Sequence, residues 1–260
     1  MRALLVVNDK GGTRKSAAAT LIADAALTNG LPVQIFQVDR QGRLPVLFPN
    51  LVTTIDMPAT EELRQDDLAD AEALAPLDDV LRDPDSQIVI CEVGANMAAR
   101  VADGIAAADT GVYLSETGAE VTICVPVTTD PESIVLGCRS LAVMREAFPG
   151  ARSLVFLCQD GGSFEAISNA DARREYETHL LPMIGAGDAA RLPRLLPRAL
   201  AALDASAMTP LRFANLGDAD APKVTGLPGS LARRVRGDVA KYVYEAMLEL
   251  QRVLPFRRDS

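Results

Sequence analysis

What the chain has little of narrows it first. It carries a single histidine, His179, and four cysteines, Cys91, Cys124, Cys138 and Cys158, with no CxxC pair and no Cys/His cluster. Zinc ligands come in such spacings, so their absence argues against a zinc site. Three of the cysteines lie inside apolar runs, so the set reads as buried hydrophobes of a reducing compartment rather than as disulfide partners. There is no linker rich in Pro, Gly or Ser, no low-complexity tract and no internal repeat, and residues 1–260 therefore read as a single domain. The N-terminal apolar stretch, Ala3 to Val7, is too short for a signal peptide or a membrane span. A cytoplasmic protein with no membrane partner is the expectation.

What is present is a chain able to bury a core: 48% of its residues are apolar and 23% charged, which excludes disorder and fibre. Acidic residues outnumber basic ones 35 to 26, a formal charge of −9. That balance argues against a surface that grips nucleic acid all over, while leaving a local basic patch open.

Strand and helix patterns alternate. Ala3 to Val7 reads as a strand that stops at Asn8-Asp9-Lys10-Gly11-Gly12. Lys15 to Asn29 keeps helical spacing and is closed by Gly30. Val33 to Val38 is a second strand, and the βαβ unit so formed is parallel by the handedness rule. Residues 59–82 read as one acidic helix. Ile88–Cys91, Val121–Val125 and Ser153–Cys158 are short continuous apolar runs, the mark of strands covered on both faces. Glu132 to Phe148 has helical spacing and stops at Pro149-Gly150, while Gly111 to Val125 is open to a reading as two strands about a turn at Glu116-Thr117-Gly118. A long amphipathic helix is predicted at about 230–254, with Val235, Val239, Val243 and Met247 on its buried face. The expected fold is α/β: a mostly parallel twisted sheet, doubly wound, with helices on both faces.

The chemistry is concentrated in Lys10-Gly11-Gly12-Thr13-Arg14-Lys15-Ser16, between the first strand and the first helix. There, loop N–H groups and a helix N-terminus converge on an anion. In the pattern GxxxxGK[ST], Lys15 would hold the β- and γ-phosphates and Ser16 the magnesium. Both glycine positions of that pattern differ, being Asp9 and Arg14, and the form that fits is KGGxxK[ST]. The competing reading is a glycine turn with incidental lysines.

This loop resembles that of the ParA/MinD family of deviant Walker ATPases. The resemblance runs from about Arg2 to Asp160 and implies ATP and Mg2+ as ligands, a homodimer formed on ATP binding, and slow hydrolysis as a positional switch. It implies that Lys10 crosses the dimer interface to the partner's nucleotide, acting as an arginine finger does. Asp39, Gln41 and Gly42 match the family's D-x-D-P-Q-G stretch, in which Asp39 would position magnesium-bound or attacking water; Gln37 and Arg40 depart from it. Glu92 stands where a magnesium-linked aspartate is usual, and Gly94 where a pivot senses the γ-phosphate. Arg14 puts a Cβ where glycine normally lets the backbone approach phosphate, so it either takes a less common backbone conformation or alters the loop. Cys158 takes the place of an asparagine that in many relatives helps read adenine.

Leu114 to Val121, Pro126 to Asp130 and Phe156 to Gly162 further resemble plasmid-borne relatives of the conjugal-transfer TraL and stability StbB type. Iron proteins of the same fold need exposed cluster cysteines, and the tyrosine kinases a tyrosine-rich tail, where this chain has only Tyr242 and Tyr244. Two functions follow from the resemblance: an ATPase switch in plasmid partition, stability or conjugal transfer, or a non-hydrolysing nucleotide-binding adaptor that recruits an unidentified protein partner. Between Leu231 and Arg258 the basic residues Arg233, Arg234, Arg236, Lys241, Arg252, Arg257 and Arg258 face Asp238, Glu245 and Glu249, a local +4 that leaves −13 for the rest. That tail reads either as a nonspecific DNA contact, as in ParA relatives, or as a solvated helix face.

Overall fold

The apolar runs become the centre of one seven-stranded sheet in the computed structural model, which describes residues 2–38, 42–66, 68–83, 88–159 and 162–256. The strands are β1 (Arg2–Val6), β2 (Val33–Val38), β3 (Val52–Thr54), β4 (Ile88–Val93), β5 (Glu120–Val127), β6 (Arg152–Cys158) and β7 (Ala189–Leu192). Their order is β3-β2-β4-β1-β5-β6-β7, and every pairing is parallel. The doubly wound α/β expectation therefore holds.

The helices are α1 (Lys15–Thr28), α2 (Leu44–Leu47), α3 (Thr60–Leu63), α4 (Ala69–Arg82), α5 (Ala98–Ala107), α6 (Thr110–Thr117), α7 (Pro131–Ala147), α8 (Ala170–Glu175), α9 (Leu181–Gly185), α10 (Pro197–Ser206), α11 (Pro210–Ala214), α12 (Ala221–Thr225) and α13 (Gly229–Val253). Side chains along a strand alternate between faces, and β1 feeds two cores. Leu4 and Val6 join α1, α10 and α13 on one side, while Ala3 and Leu5 join α4, α5 and α7 on the other. Apolar pressure from both sides is what makes these strands continuous hydrophobic runs. Among the described residues no helix is long and apolar enough to cross a membrane.

Two segments differ from the sequence expectation. Residues 59–82 are two helices, not one: the Asp66 carboxylate accepts the Leu68 amide at 2.9 Å, a local turn that competes with helical continuation. Gly111 to Val125 is helix α6 followed by strand β5. Gly118, which suggested a hairpin turn, takes φ +71 and instead ends α6 in the left-handed region. Gly111 lies so close to the end of α7 that a Cβ there would meet the Ala147 carbonyl at 1.8 Å. The edge strands β3 and β7 go beyond the sequence reading. The tail helix is as expected, with Val235, Val239 and Val243 buried and Met247 partly so. All four cysteines are buried, and none is in a disulfide.

One polar contact ties α1 to the second half of the chain. Asp24, 4% exposed, accepts the Leu211 amide at 3.4 Å and hydrogen-bonds with Thr209, whose hydroxyl caps α11 through the Arg212 amide. Burial pushes its carboxyl up to about 6, against the downward pull of those bonds and of Arg212. A folded-state pKa raised above the ordinary 3.8 means the native state holds this proton more tightly, so stability falls as pH rises from 3.8 through about 6. Asp24→Asn is expected to exceed wild type by up to about 3 kcal/mol at pH 7 and to converge with it below pH 4, measured by urea unfolding across that range.

Candidate functional site

Register builds the site. Val6, the last residue of β1, pairs with Glu92 on β4 and with Cys124 on β5, so the loop leaving β1 emerges beside a strand-end carboxylate. Asn8 then plunges into the interior, where its Nδ2 donates to the Pro126 carbonyl (2.8 Å) and the Ser133 carbonyl (3.0 Å), and its Oδ1 accepts the Lys10 amide (2.9 Å). A fully buried carboxamide satisfied this completely fixes the start of the loop.

The loop turns through Gly12 at φ +78 and Arg14 at φ +71, and Arg14 is the N-cap of α1. The departure at Arg14 is thus met by a left-handed backbone, which costs a residue with a Cβ about 1 kcal/mol. A Cβ at Gly11 or Gly12 would meet nothing within 4 Å, so the outer rim of the loop is open. Lys15 is only 7% exposed; its Nζ donates to the carbonyls of Asn8 (2.7 Å) and Lys10 (3.0 Å), arching across the loop. Ser16, in the first turn of α1, donates its hydroxyl to Glu92 Oε1 at 2.6 Å, and Glu92 is 5% exposed. Hydroxyl and carboxylate oxygen together are the donor set a hard divalent cation takes.

Lys10 points elsewhere. Its ammonium forms an ion pair with Glu132, in the first turn of α7, and that hydrogen bond raises its pKa. The structure therefore brings Gly11, Gly12, Thr13, Arg14, Lys15, Ser16 and Glu92 together around one cavity of about 410 Å3, with the Lys10 side chain held to one side. Asp39, with Arg40 and Gln41, lies outside the described residues, as do Asp160, Gly161, Arg257 and Arg258.

Two departures acquire a structural role. Gln37 is 1% exposed and its Oε1 accepts the Leu44 amide at 3.1 Å, so it braces the entry to α2. A Cβ at Gly42 would strike the Gln37 side chain at 2.0 Å, which is why glycine follows there. The Cys158 thiol sits beneath the loop, 3.8 Å from the Thr13 carbonyl, as packing.

The far wall of the cavity comes from residues that the sequence reading left unassigned: Leu203, Met208 and Tyr242, with an Arg43–Asp204 ion pair joining the segment before α2 to α10. The one signal for them is the apolar spacing of the tail helix, which identifies Val239 and Val243 as buried and Tyr242 beside them.

No protein-family model matches the sequence, and no curated protein matches it. Solved structures do resemble the fold. The MinD cell division protein of Aquifex aeolicus has 12% identity and a TM-score of 0.47, covering 94% of this chain and 98% of that one. Apo McdA from Cyanothece has 14% identity and a TM-score of 0.46 over 94% and 99% of the two chains. An ATP complex of Cyanothece McdA has 15% identity and a TM-score of 0.45 over 91% and 96%. At such identities and TM-scores these likenesses carry no functional assignment, and the finer resemblance to TraL and StbB finds no support in them.

The backbone at residue 14 gives the site a direct check. Arg14→Gly is expected to change stability by less than about 1 kcal/mol, whereas the β-branched Arg14→Val costs about 1–2 kcal/mol more, because a left-handed φ suits glycine and penalises branching at Cβ. Denaturant unfolding of the two variants beside wild type reads this out.

Proposed function

We propose that the chain is a nucleotide-dependent dimerising switch of the ParA/MinD kind that binds ATP with magnesium. The observation that supports this reading above others is Lys15. A buried ammonium is held at the mouth of a glycine loop by two backbone carbonyls, at the N-terminus of a 14-residue helix and on the edge of an open cavity. Phosphate oxygens are stronger acceptors for that ammonium than carbonyls, and the loop N–H groups of Gly11 to Ser16 add the anion cradle of a helix start. Ser16 and Glu92 would hold magnesium, which supplies positive charge to the terminal phosphates; Asp39 is the further oxygen donor that the resemblance assigns. The apolar wall of Leu203, Met208 and Tyr242 suits the nucleoside end of the ligand.

In this reading Lys10 leaves Glu132 when two subunits meet and reaches the partner's nucleotide. Hydrolysis is slow, and the biological setting is plasmid partition, stability or conjugal transfer, with an unidentified protein partner. Among the described basic tail residues, Arg233, Arg234, Lys241 and Arg252 are exposed on α13; Arg252 is already engaged by Glu249, so a nonspecific DNA contact would rest first on the other three in each subunit. The adaptor reading has its own support in Gln37, where a neutral structural brace replaces the acid of the resemblance.

Equilibrium binding and single-turnover hydrolysis test the first reading. Lys15→Ala is expected to weaken ATP binding about 10- to 100-fold, the size of a charge-assisted contact, and to abolish phosphate release. Equal binding by wild type and variant would overturn the phosphate-loop assignment, while lysine-dependent binding without any phosphate release would favour the adaptor. Glu132→Gln, which frees Lys10, is expected to lower the ATP concentration needed for dimerisation in light scattering, and Lys10→Ala to prevent it; dimerisation of Lys10→Ala at wild-type ATP would overturn the interface role.

A further inference from the structure

Asp9 occupies the position where an ordinary phosphate loop has its first glycine, and the nucleotide reading gives it nothing to do. It is nevertheless bound to two distant elements. Its amide donates to the Ser140 hydroxyl on α7 at 3.0 Å, its carbonyl accepts the Asn96 amide at 3.2 Å, and its carboxylate Oδ1 accepts the Ala98 amide at 3.0 Å. Two of these three bonds go to the turn after β4. Ala98 is the first residue of α5, so the carboxylate serves a helix start from outside its own segment of chain, where an anion is favoured by both the orphan N–H and the dipole.

That turn is Gly94-Ala95-Asn96-Met97, and it is held from both flanks. On one side the Gly94 amide donates to the Val38 carbonyl at 3.0 Å, at the end of β2. On the other, Asp9 holds Asn96 and Ala98. Between the two clamps Asn96 sits at φ 60, a left-handed conformation that asparagine tolerates better than most residues but that the surroundings must impose. Ala95 lines the cavity beside Gly11 and Gly12. The turn is therefore a left-handed element next to the loop, and Asp9 links it to the loop through its side chain and its carbonyl.

We propose that Asp9 is a positioning residue: it clips the turn after β4 to the phosphate loop, so that the occupant of the loop is felt by that turn and by α5. The inference rests on the nucleotide reading above. Displacement of the loop by a terminal phosphate moves Asp9, and Asp9 moves Asn96 and Ala98 with it. The carboxylate need not touch the nucleotide to make the protein distinguish one nucleotide from another. Ser140 fixes the other end, because its hydroxyl accepts the Asp9 amide while donating to the Leu136 carbonyl at 2.9 Å within α7.

Two measurements on the full chain test this. Hydrogen exchange of the free protein reads the clip itself. Asp9→Ala, which keeps both backbone bonds, is expected to speed exchange of the Ala98 amide about tenfold, while Asp9→Asn, which keeps an acceptor oxygen, restores protection. Titration with a non-hydrolysable ATP analogue and with ADP reads the transmission: the ratio of the two dissociation constants is expected to fall about fivefold or more in Asp9→Ala and to recover in Asp9→Asn. A purely structural role would weaken both nucleotides alike and leave the ratio where it was, and that result, or unaltered exchange at Ala98, overturns the proposal. Asp9→Gly, which restores the ordinary loop residue, serves as the second variant with the same expectation. Wild-type protein that bound neither nucleotide would remove the underlying reading and the transmission role with it, and exchange at Ala98 would then decide the clip alone.

Discussion

Everything in the site hangs on the buried side chain of Asn8. Both of its amide protons and its carbonyl oxygen are used, on β5, on α7 and on the loop itself, and its own backbone oxygen receives Lys15. One uncharged residue thereby fixes where the strand ends, how far the loop stands off α7 and where the ammonium rests. The neighbouring helix gives way to accommodate it. A Cβ on Gly137 would meet the Asn8 amide nitrogen at 2.9 Å, and an unpaired amide left in that apolar core would cost a few kcal/mol.

From this anchor the electrostatics of the loop follow. Two lysines stand five residues apart and are treated in opposite ways. Lys15 is drawn inward onto carbonyls, and Lys10 is drawn outward onto a carboxylate of α7. Both arrangements are satisfied internally, so the protein holds a strongly cationic loop without a ligand. The tail shows the same economy. Arg236 is engaged with Asp218 and the Leu216 carbonyl, and Arg252 with Glu249 and the Ala189 carbonyl, so part of the local excess of +4 serves packing of α13 rather than any partner.

The central sheet was legible in the sequence because β1, β4, β5 and β6 are buried on both faces and therefore read as unbroken apolar runs. The three residues Val52–Thr54, two of them exposed, and the Ala-Ala-Arg-Leu of β7 are edge strands too short for any periodicity to announce them. The glycine loop was legible since its residues are contiguous. Gly118 misled because a left-handed glycine ends a helix as readily as it turns a hairpin. What stayed hidden is what acts at a distance. Asp9 meets Ser140 and Ala98 across 131 and 89 residues, and the cavity wall of Leu203 and Tyr242 lies in the half of the chain with no motif at all.

Tyr242 gives that wall an optical consequence. It is 8% exposed, it lines the cavity, and it is one of four tyrosines in a chain that contains no tryptophan. With no indole to drain or mask its emission, the phenol next to the loop is a built-in fluorophore. A ligand entering the cavity would change the surroundings of this one phenol among the four, a change that ultraviolet fluorescence reads without an attached label.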